Sequence, residues 1–555
     1  MFNLTTMTAR DQLQQTLCDR LFWHTAERDE AKVADYLFHS RAMNTVYAMD
    51  EATLFDSFFN YLQEIGVFPF LENLDPNKQK RNNVNFFQIL LVFLMKITGS
   101  IKMMDQMDDL LLSDELLMAM CGFNAYQVRK GSCARGVKLR KEQPPEIRGP
   151  LCVDTIAKHI VTITPKRIEN LFNNCIKQLA KQRLFPRKIF AACDATLYET
   201  TDKFKGCGSV RKKVRVKARG YRKNGELKEV SVTLYGWKIW AVYEIKSGIP
   251  LAVKIDKIQK PDNLHILGVL EQAKENVAPF SKIVSLVIDR GFLDGKVLYE
   301  IDQQGLEFVI PLKRNMEAAK DARQLALDSE GLPPVSREAQ VSHGYGKSRY
   351  TEKLTTTLVG VPDLMTCDWF NPQGSKANGT TKKDYEPIPL NAVVVQKWDN
   401  KTPLPGKEVV FVTNIDVKDP FLTFDRYDER SLIENKLFRE LKQNWHLEYP
   451  PKKTKEGVYL QTYMTMAIKA LTTGFLKWQK DQSKLETRGK HSTWKMYRQK
   501  LKVINRNKLI VFVGDHFGIF PSHEVFLLAN VPVYDVEKEL DITRDSIYAK
   551  YCPKS

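Results

Sequence analysis

The sequence predicts an α/β protein. A mixed-sheet core flanked by helices is interrupted by a β-rich insertion, preceded by a helical N-terminal region and followed by a basic C-terminal region. Three observations point there. Apolar runs of strand length stop at acidic residues, 189–193 before Asp194 and 283–288 before Asp289. Around them, helical amphipathic patterns alternate with strands, as in a mixed sheet flanked by helices. From 316 to 420 the pattern switches to strand-like runs between turn-rich polar stretches.

Size and composition agree with this. The chain of 555 residues allows about three or four domains. A hydrophobic share of 43% with 10% aromatics is ample for packed cores and argues against wholesale disorder. The net charge of +18 suits a polyanionic partner. Nine cysteines without a C-x-x-C pair form neither a disulfide framework nor a zinc ribbon, and point to a reducing cytoplasm. The longest apolar stretch, 86–97, is too short to cross a bilayer, and Met1-Phe2-Asn3-Leu4-Thr5 carries no secretory pattern. No membrane partner is expected.

The elements follow in order. Residues 1–150 read as mainly helical, with long segments at 28–40 and 85–120 and a basic looped stretch at 129–141. Two readings of this region stand side by side: DNA binding, without a recognition helix sharp enough to name, or a helical core domain without such contacts. In 151–315, Thr164 caps a helix with Pro165 at its first position. Ile168, Leu171, Phe172, Cys175, Ile176 and Leu179 give it the stripe of a helix packed on a sheet. A strand ending at Asp194 follows, then strands at 230–235 and 237–245 joined at Gly236. The strand 249–255 comes after a Ser247-Gly248 turn. Next come a helix (265–276), the strand ending at Asp289, a helix (294–304) and a strand (306–312). The insertion, 316–420, carries strands at 353–361, 390–398 and 408–412 and a loop near 370–388. The core resumes over 421–475, with a helix that bears a third acidic residue. The region 476–555, with a short strand at 509–513, is basic enough to bind DNA or to mediate dimerisation.

Three acids carry the chemistry. Asp194 and Asp289 end strands, and Glu434 lies in a charged helical segment. Carboxylates so placed can converge on hard divalent cations, which prefer oxygen ligands shared with a phosphate substrate. Two such metals about 4 Å apart serve in-line phosphoryl displacement. At about 100° per residue, Tyr427, Arg430 and Glu434 share one helix face, with Glu429 opposite. Arg430 then stands where its guanidinium can grip a phosphate bidentately.

These residues resemble the DDE transposases of bacterial insertion sequences, in the group with a Y-x2-R-x3-E signature. Asp194-Ala195-Thr196 is similar to that group's D-x-T, and Asp289-Arg290-Gly291-Phe292 to its D-x-G-[YF]. Tyr427, Arg430 and Glu434 complete the signature, and the resemblance covers about 150–475. It implies an RNase H-like core performing cut-and-paste transposition. Asp194, Asp289 and Glu434 would be catalytic and would hold two Mg2+ ions, with Mn2+ as substitute. Arg430 would hold a phosphate near the scissile bond, and Tyr427 would contact the same strand. The group's lysine falls seven positions after the glutamate, where this chain has Leu441. Lys442, one residue later and rotated about 80° from Glu434, is the DNA-contacting candidate. Members of the group often form a hairpin and flip a base onto an aromatic residue. Trp369 and Trp398 are the candidates, a β-segment core being the competing place for either. The implied partners are double-stranded DNA, as inverted-repeat ends and target, and a second copy in a homodimer. The implied location is the bacterial cytoplasm, at the nucleoid.

The densest basic run, Arg211, Lys212, Lys213, Arg215, Lys217, Arg219, Arg222 and Lys223, reads as a phosphate-tracking element. Its alternation with Val214 and Val216 suggests a β-ribbon. A second cluster surrounds Trp494 and Tyr497. Gly346-Lys347-Ser348 lacks the first glycine of a phosphate loop, because Val341 stands there. His516 and His523 do not form a zinc spacing, and His265 reads as a neighbour of a helix cap. Two other functions stay open: a DNA-binding protein of transposase ancestry that no longer cuts, and a metal-dependent nuclease without strand transfer. The three intact acids argue against the first, and the insertion and basic tail against the second.

Overall fold

The computed structural model describes residues 27–41, 45–49, 52–76, 84–123, 127–128, 131, 149–217, 227–328, 331–343, 350–365, 389–399, 402–403, 408–430, 437–483, 493–531 and 542–553. They form a mixed α/β structure of two compact units. One comprises Met1–Gln178 with Gln443–Ser555, and the other is Leu179–Lys442.

The first unit begins with the two-residue strand β1 (Glu27–Arg28), the helix Glu30–Ser40 and strand β2 (Thr45–Ala48). The helix Phe86–Thr98 is buried along its whole length. Asn85 starts it with a capping box: its Oδ1 accepts from the Phe87 amide, and its own amide donates to Gln88 Oε1, each at 3.0 Å. The segment 85–120 is not one helix, however. It breaks at Gly99 and Ser100, the latter at φ 51°, resumes in the short π-helical turn Asp108–Leu112 and then in Glu115–Met120 under the Asp114 cap. The helix Pro165–Lys181 forms as its cap predicts, and its apolar stripe is buried. Phe172 meets Tyr463 of the helix Lys455–Ser483 at 6.2 Å, so a helix is one packing partner of this stripe.

The second unit is built on one eleven-stranded sheet. Its first strands are β3 (Lys188–Thr200), β4 (Gly208–Lys217), β5 (Leu227–Glu244) and β6 (Ile249–Lys257). The helix Ile266–Val277 leads to β7 (Lys282–Ile288), and Gly295–Gln303 to β8 (Glu307–Pro311). After the helix Glu317–Leu327 come β9 (Val335–His343), β10 (Tyr350–Leu364), β11 (Leu390–Asp399), β12 (Thr402–Pro403) and β13 (Val409–Thr413). The order is β4-β5-β3-β7-β8-β13-β11-β10-β9, with β6 on β5 and β12 on β11. β3, β7 and β8 run parallel, and β13 joins β8 antiparallel. The strands of 316–420 therefore continue the core sheet.

Two expected boundaries move. β3 does not end at Asp194 but runs on to Thr200, because Ala195 to Thr200 keep pairing with β5. The runs either side of Gly236 are one strand, not two. Gly236 stays extended enough for the ladder at φ 153°, and a Cβ there would stand 2.0 Å from the Tyr198 carbonyl oxygen. Only glycine admits that approach. Val230 to Tyr235 pair with β4, which confirms the ribbon expected from the basic alternation.

The first unit is completed by the helix Trp494–Asn505, β14 (Lys508–Val513), β15 (His516–Pro521) and the helices Ser522–Leu528 and Arg544–Tyr551. Gly514, at φ 61°, turns β14 into β15. The hairpin is flanked by β1 and β2 in a four-stranded sheet ordered β1-β15-β14-β2. Val33, Leu37, Val511, Phe520, Val525, Leu528 and Ile547 form its core. Among the described residues, no helix is long and apolar enough to cross a membrane.

Candidate active site

Parallel pairing sets the first feature of the site. The last paired residues of β3 and β7 are Cys193 and Ile288, opposite one another. Asp194 and Asp289 each follow directly, so the register alone puts the two carboxylates side by side at one strand spacing, about 4.8 Å. In an open sheet with parallel strands, ligands bind beyond the carboxyl ends of those strands.

The second feature is Arg430. Its Nη1 donates to Asp194 Oδ2 at 2.9 Å, and its Nη2 lies 3.6 Å from Asp289 Oδ1. The other Asp194 oxygen, Oδ1, accepts from the Ala195 amide at 2.7 Å. The Arg430 and Asp194 side chains are only 12% and 11% exposed, against 35% for Asp289. Tyr427 completes the group. Its ring lies 5.5 Å from the Arg430 guanidinium carbon and 4.5 Å from the Phe411 ring on β13. Burial pushes its phenol above the usual range, with Arg430 opposing and Asp289 adding to the rise.

Local sequence explains how Tyr427 and Arg430 arrive there. Asp419 caps the helix Pro420–Asp428 by accepting from the Phe421 amide at 3.1 Å, with Pro420 at the first helical position. Arg426 pairs with Glu307 on β8 and stacks over Phe190 of β3 at 5.2 Å. Arg337 on β9 grips Asp425 with a bidentate fork at 2.7 and 3.0 Å and lies 3.9 Å over Phe421. The helix ends at Asp428 and Arg430 follows in a turn, so Tyr427 and Arg430 do not ride one long helix as the spacing suggested.

The Asp289 turn has its own brace. Asp289 opens the short turn Arg290–Phe292, and Asp294 then caps the helix Gly295–Gln303 through the Val297 amide. Asp262 packs against this turn: a Cβ on Gly291 would stand 2.8 Å from its Oδ2. Lys238 holds Asp262 at 2.8 Å, and Trp240 Nε1 donates to the Asp262 carbonyl. His265, expected only as a cap neighbour, bonds Asp256 at 2.9 Å and meets the Trp240 ring edge-on at 4.7 Å. Sequence reasoning missed these braces; the Pro261-Asp262-Asn263 turn signal was the available hint.

Other candidates stand apart or outside. Lys442 donates to the Leu197 carbonyl of β3 at 2.7 Å. Arg211, Lys212 and Lys213 are on β4, and all three are exposed. Arg215 and Lys217 occupy the strand's next alternate positions, and Trp398 lies on β11 opposite Thr355, their side chains lying outside the description. Glu434, Arg219 and Trp369 lie outside the described residues. Among the described residues, no group of three or more His, Cys, Asp or Glu could hold a metal.

A pair of neighbouring aspartates gripped by one arginine defines an acid-centred site on a mixed sheet. The family model described as the transposase DDE domain matches residues 186–469, just over half of the chain. The chain belongs to that family. Among solved structures, it is similar to the piggyBac transposase synaptic complex with hairpin DNA, determined by cryo-EM, at 11% identity and a TM-score of 0.37. That likeness covers 87% of this chain and 82% of the other and is too distant to assign residues. No curated protein matches the chain.

Proposed function

We propose that the protein cuts the inverted-repeat ends of its element and joins them to target DNA, with Asp194, Asp289 and Glu434 as the acidic centre of an RNase H-like core. The observation that carries this reading is the adjacency of Asp194 and Asp289 beyond Cys193 and Ile288, both within reach of the Arg430 fork. Membership of the DDE family supports it.

The donor set fits a hard cation. It consists of carboxylate oxygens, and Asp194 Oδ2 and Asp289 Oδ1 already converge on one positive group. Two Mg2+ ions, or Mn2+ in their place, suit such donors, and the chemistry they supply is activation of the attacking oxygen and stabilisation of the departing one. The chain's own residues do the rest. Arg430 holds a backbone phosphate at the scissile position, where its planar fork matches phosphate oxygens. Tyr427 lines the same strand. The exposed Lys212 and Lys213 on β4, with the basic residues that follow, track phosphates away from the cut, and this makes binding salt-dependent. The basic C-terminal region serves DNA binding or pairing of two copies on the two ends. The setting proposed is the nucleoid of a bacterial cytoplasm.

The test uses DNA carrying the inverted repeats that flank the gene, purified protein and Mg2+, with Asp289→Asn as comparison. The expected outcome is 3′-hydroxyl ends and joined products from the wild type alone, with end binding retained in the variant. Specific binding without cutting by the wild type would make it a silent DNA-binding relative. Cutting without joining would make it a nuclease.

A further inference from the structure

We infer that Arg430 couples metal binding to DNA binding, because the guanidinium proposed to grip phosphate occupies the carboxylate oxygens proposed to grip metal. The inference rests on the reading of Asp194 and Asp289 as metal ligands.

The geometry makes the two demands mutually exclusive at one atom. Asp194 Oδ1 is taken by the Ala195 amide, so Oδ2 is the oxygen facing the site, and Arg430 Nη1 holds it at 2.9 Å. Nη2 extends the same fork toward Asp289 Oδ1 at 3.6 Å. A hard divalent cation binds carboxylate oxygen at about 2.1 Å. It cannot take Asp194 Oδ2 on the side facing Asp289 while the fork stays, except beside a like charge in a site where both side chains are about nine-tenths buried. Metal entry therefore requires Arg430 to swing off the carboxylates.

Tyr427 offers it a place to turn. Its ring lies 5.5 Å from the guanidinium carbon, within reach of a cation–π contact. A DNA phosphate gives the guanidinium a new bidentate partner. Phosphate thus draws Arg430 from the aspartates and opens Asp194 Oδ2 to metal. By linkage, metal on the aspartates releases Arg430 toward phosphate with the same coupling. The device keeps two adjacent carboxylates neutralised until DNA arrives, and it favours metal loading on a bound end.

The test is the affinity of the full chain for Mn2+, read by calorimetry or by the spin resonance of free Mn2+. It is measured with and without a saturating, already cleaved duplex carrying one element end. Arg430→Gln is expected to bind Mn2+ about tenfold more tightly than wild type in the absence of DNA. The duplex tightens Mn2+ binding in both proteins, since its phosphates add ligands, but by about tenfold more in wild type. Arg430→Lys, which keeps the charge and loses the fork, is expected between the two, and it carries the test if the glutamine variant does not fold. Unchanged or weaker Mn2+ binding in the folded variant, or equal tightening by the duplex in both proteins, overturns the inference. Asp194→Asn separates the two levels. If it binds Mn2+ like wild type, the metal-site reading itself fails. If it loses Mn2+ while Arg430→Gln is unchanged, only the coupling fails.

Discussion

Replacing Lys96 with methionine should stabilise the protein, which is unusual for a change in a fully buried helix. Lys96 is 1% exposed within the helix Phe86–Thr98, with the Phe93 ring 5.7 Å from its ammonium. Among the described residues, it has no hydrogen-bond or ion-pair partner. Burial lowers its pKa from 10.5 to about 8. At about 1.4 kcal/mol per pKa unit, that shift corresponds to roughly 3 kcal/mol of penalty on the charged form. The sign follows from proton counting. Between about pH 8 and 10.5 the unfolded chain holds this proton and the folded one does not, so stability rises with pH across that window. Below pH 8 the amine stays charged in both states and the full penalty remains. Methionine is close in volume and carries no charge; allowing about 1 kcal/mol for imperfect fit, the gain at pH 7 is roughly 2 kcal/mol. The assay is urea unfolding at pH 7, 8.5 and 10, followed by the fluorescence of Trp494, whose indole donates to the Thr98 carbonyl at 2.8 Å. Groups shared by both proteins cancel in the difference. A variant less stable than wild type at pH 7, or a gap that fails to narrow by pH 10, refutes the reasoning.

Two further changes probe the mount of the active site. Arg337→Glu removes the fork on Asp425 and the stack on Phe421. Both partners are half-exposed, so stability should change little, but DNA cleavage should fall about fivefold because the helix that presents Tyr427 and Arg430 loses its anchor. Adding Asp425→Arg should restore the rate, and no recovery in the double variant would sink the anchoring role. Gly291→Ala places a methyl group 2.8 Å from Asp262 Oδ2, which Lys238 holds. With Asp262 held by Lys238, the Asp289 turn is expected to take up the shift, and cleavage should drop about tenfold with little change in the urea midpoint; an unaltered rate would mean that Asp262 gives way instead.

Much of the core was legible because strand signals are local. The apolar runs before Asp194 and Asp289 became β3 and β7, and the Val-interleaved basic run became β4. Thr164 and Pro165 started a helix where expected. What the sequence hid was pairing between distant segments. Nothing local shows that β13 returns to β8, because Phe411 and Pro311 meet only through the fold. The sheet uniting β1 and β2 with β14 and β15 escaped for the same reason, although Gly514-Asp515 between apolar runs was a readable turn. Gly236 misled because glycine marks both turns and close approaches, and here the Tyr198 carbonyl required the second. The adjacency of Arg430 to both aspartates was beyond sequence spacing, since the helix that was to place it stops at Asp428.

That stop assigns the strands of 316–420 a role their sequence does not announce. The two aspartates need only β3 and β7, whose register sets them side by side. Tyr427 and Arg430 need more, because they lie at and just beyond a nine-residue helix end. Three residues near that end reach three different strands: Asp425 to Arg337 on β9, Arg426 to Glu307 on β8 and Tyr427 to Phe411 on β13. Two of those strands belong to 316–420, and they continue the same sheet that carries the aspartates. One rigid sheet therefore fixes both halves of the site, the carboxylates directly and the arginine through its helix. Pre-organisation of this kind keeps the groups in position without a folding cost at the moment of reaction. It also leaves the Arg430 side chain as the part able to change partners, because Asp194 lies within β3 and Asp289 directly follows the paired end of β7.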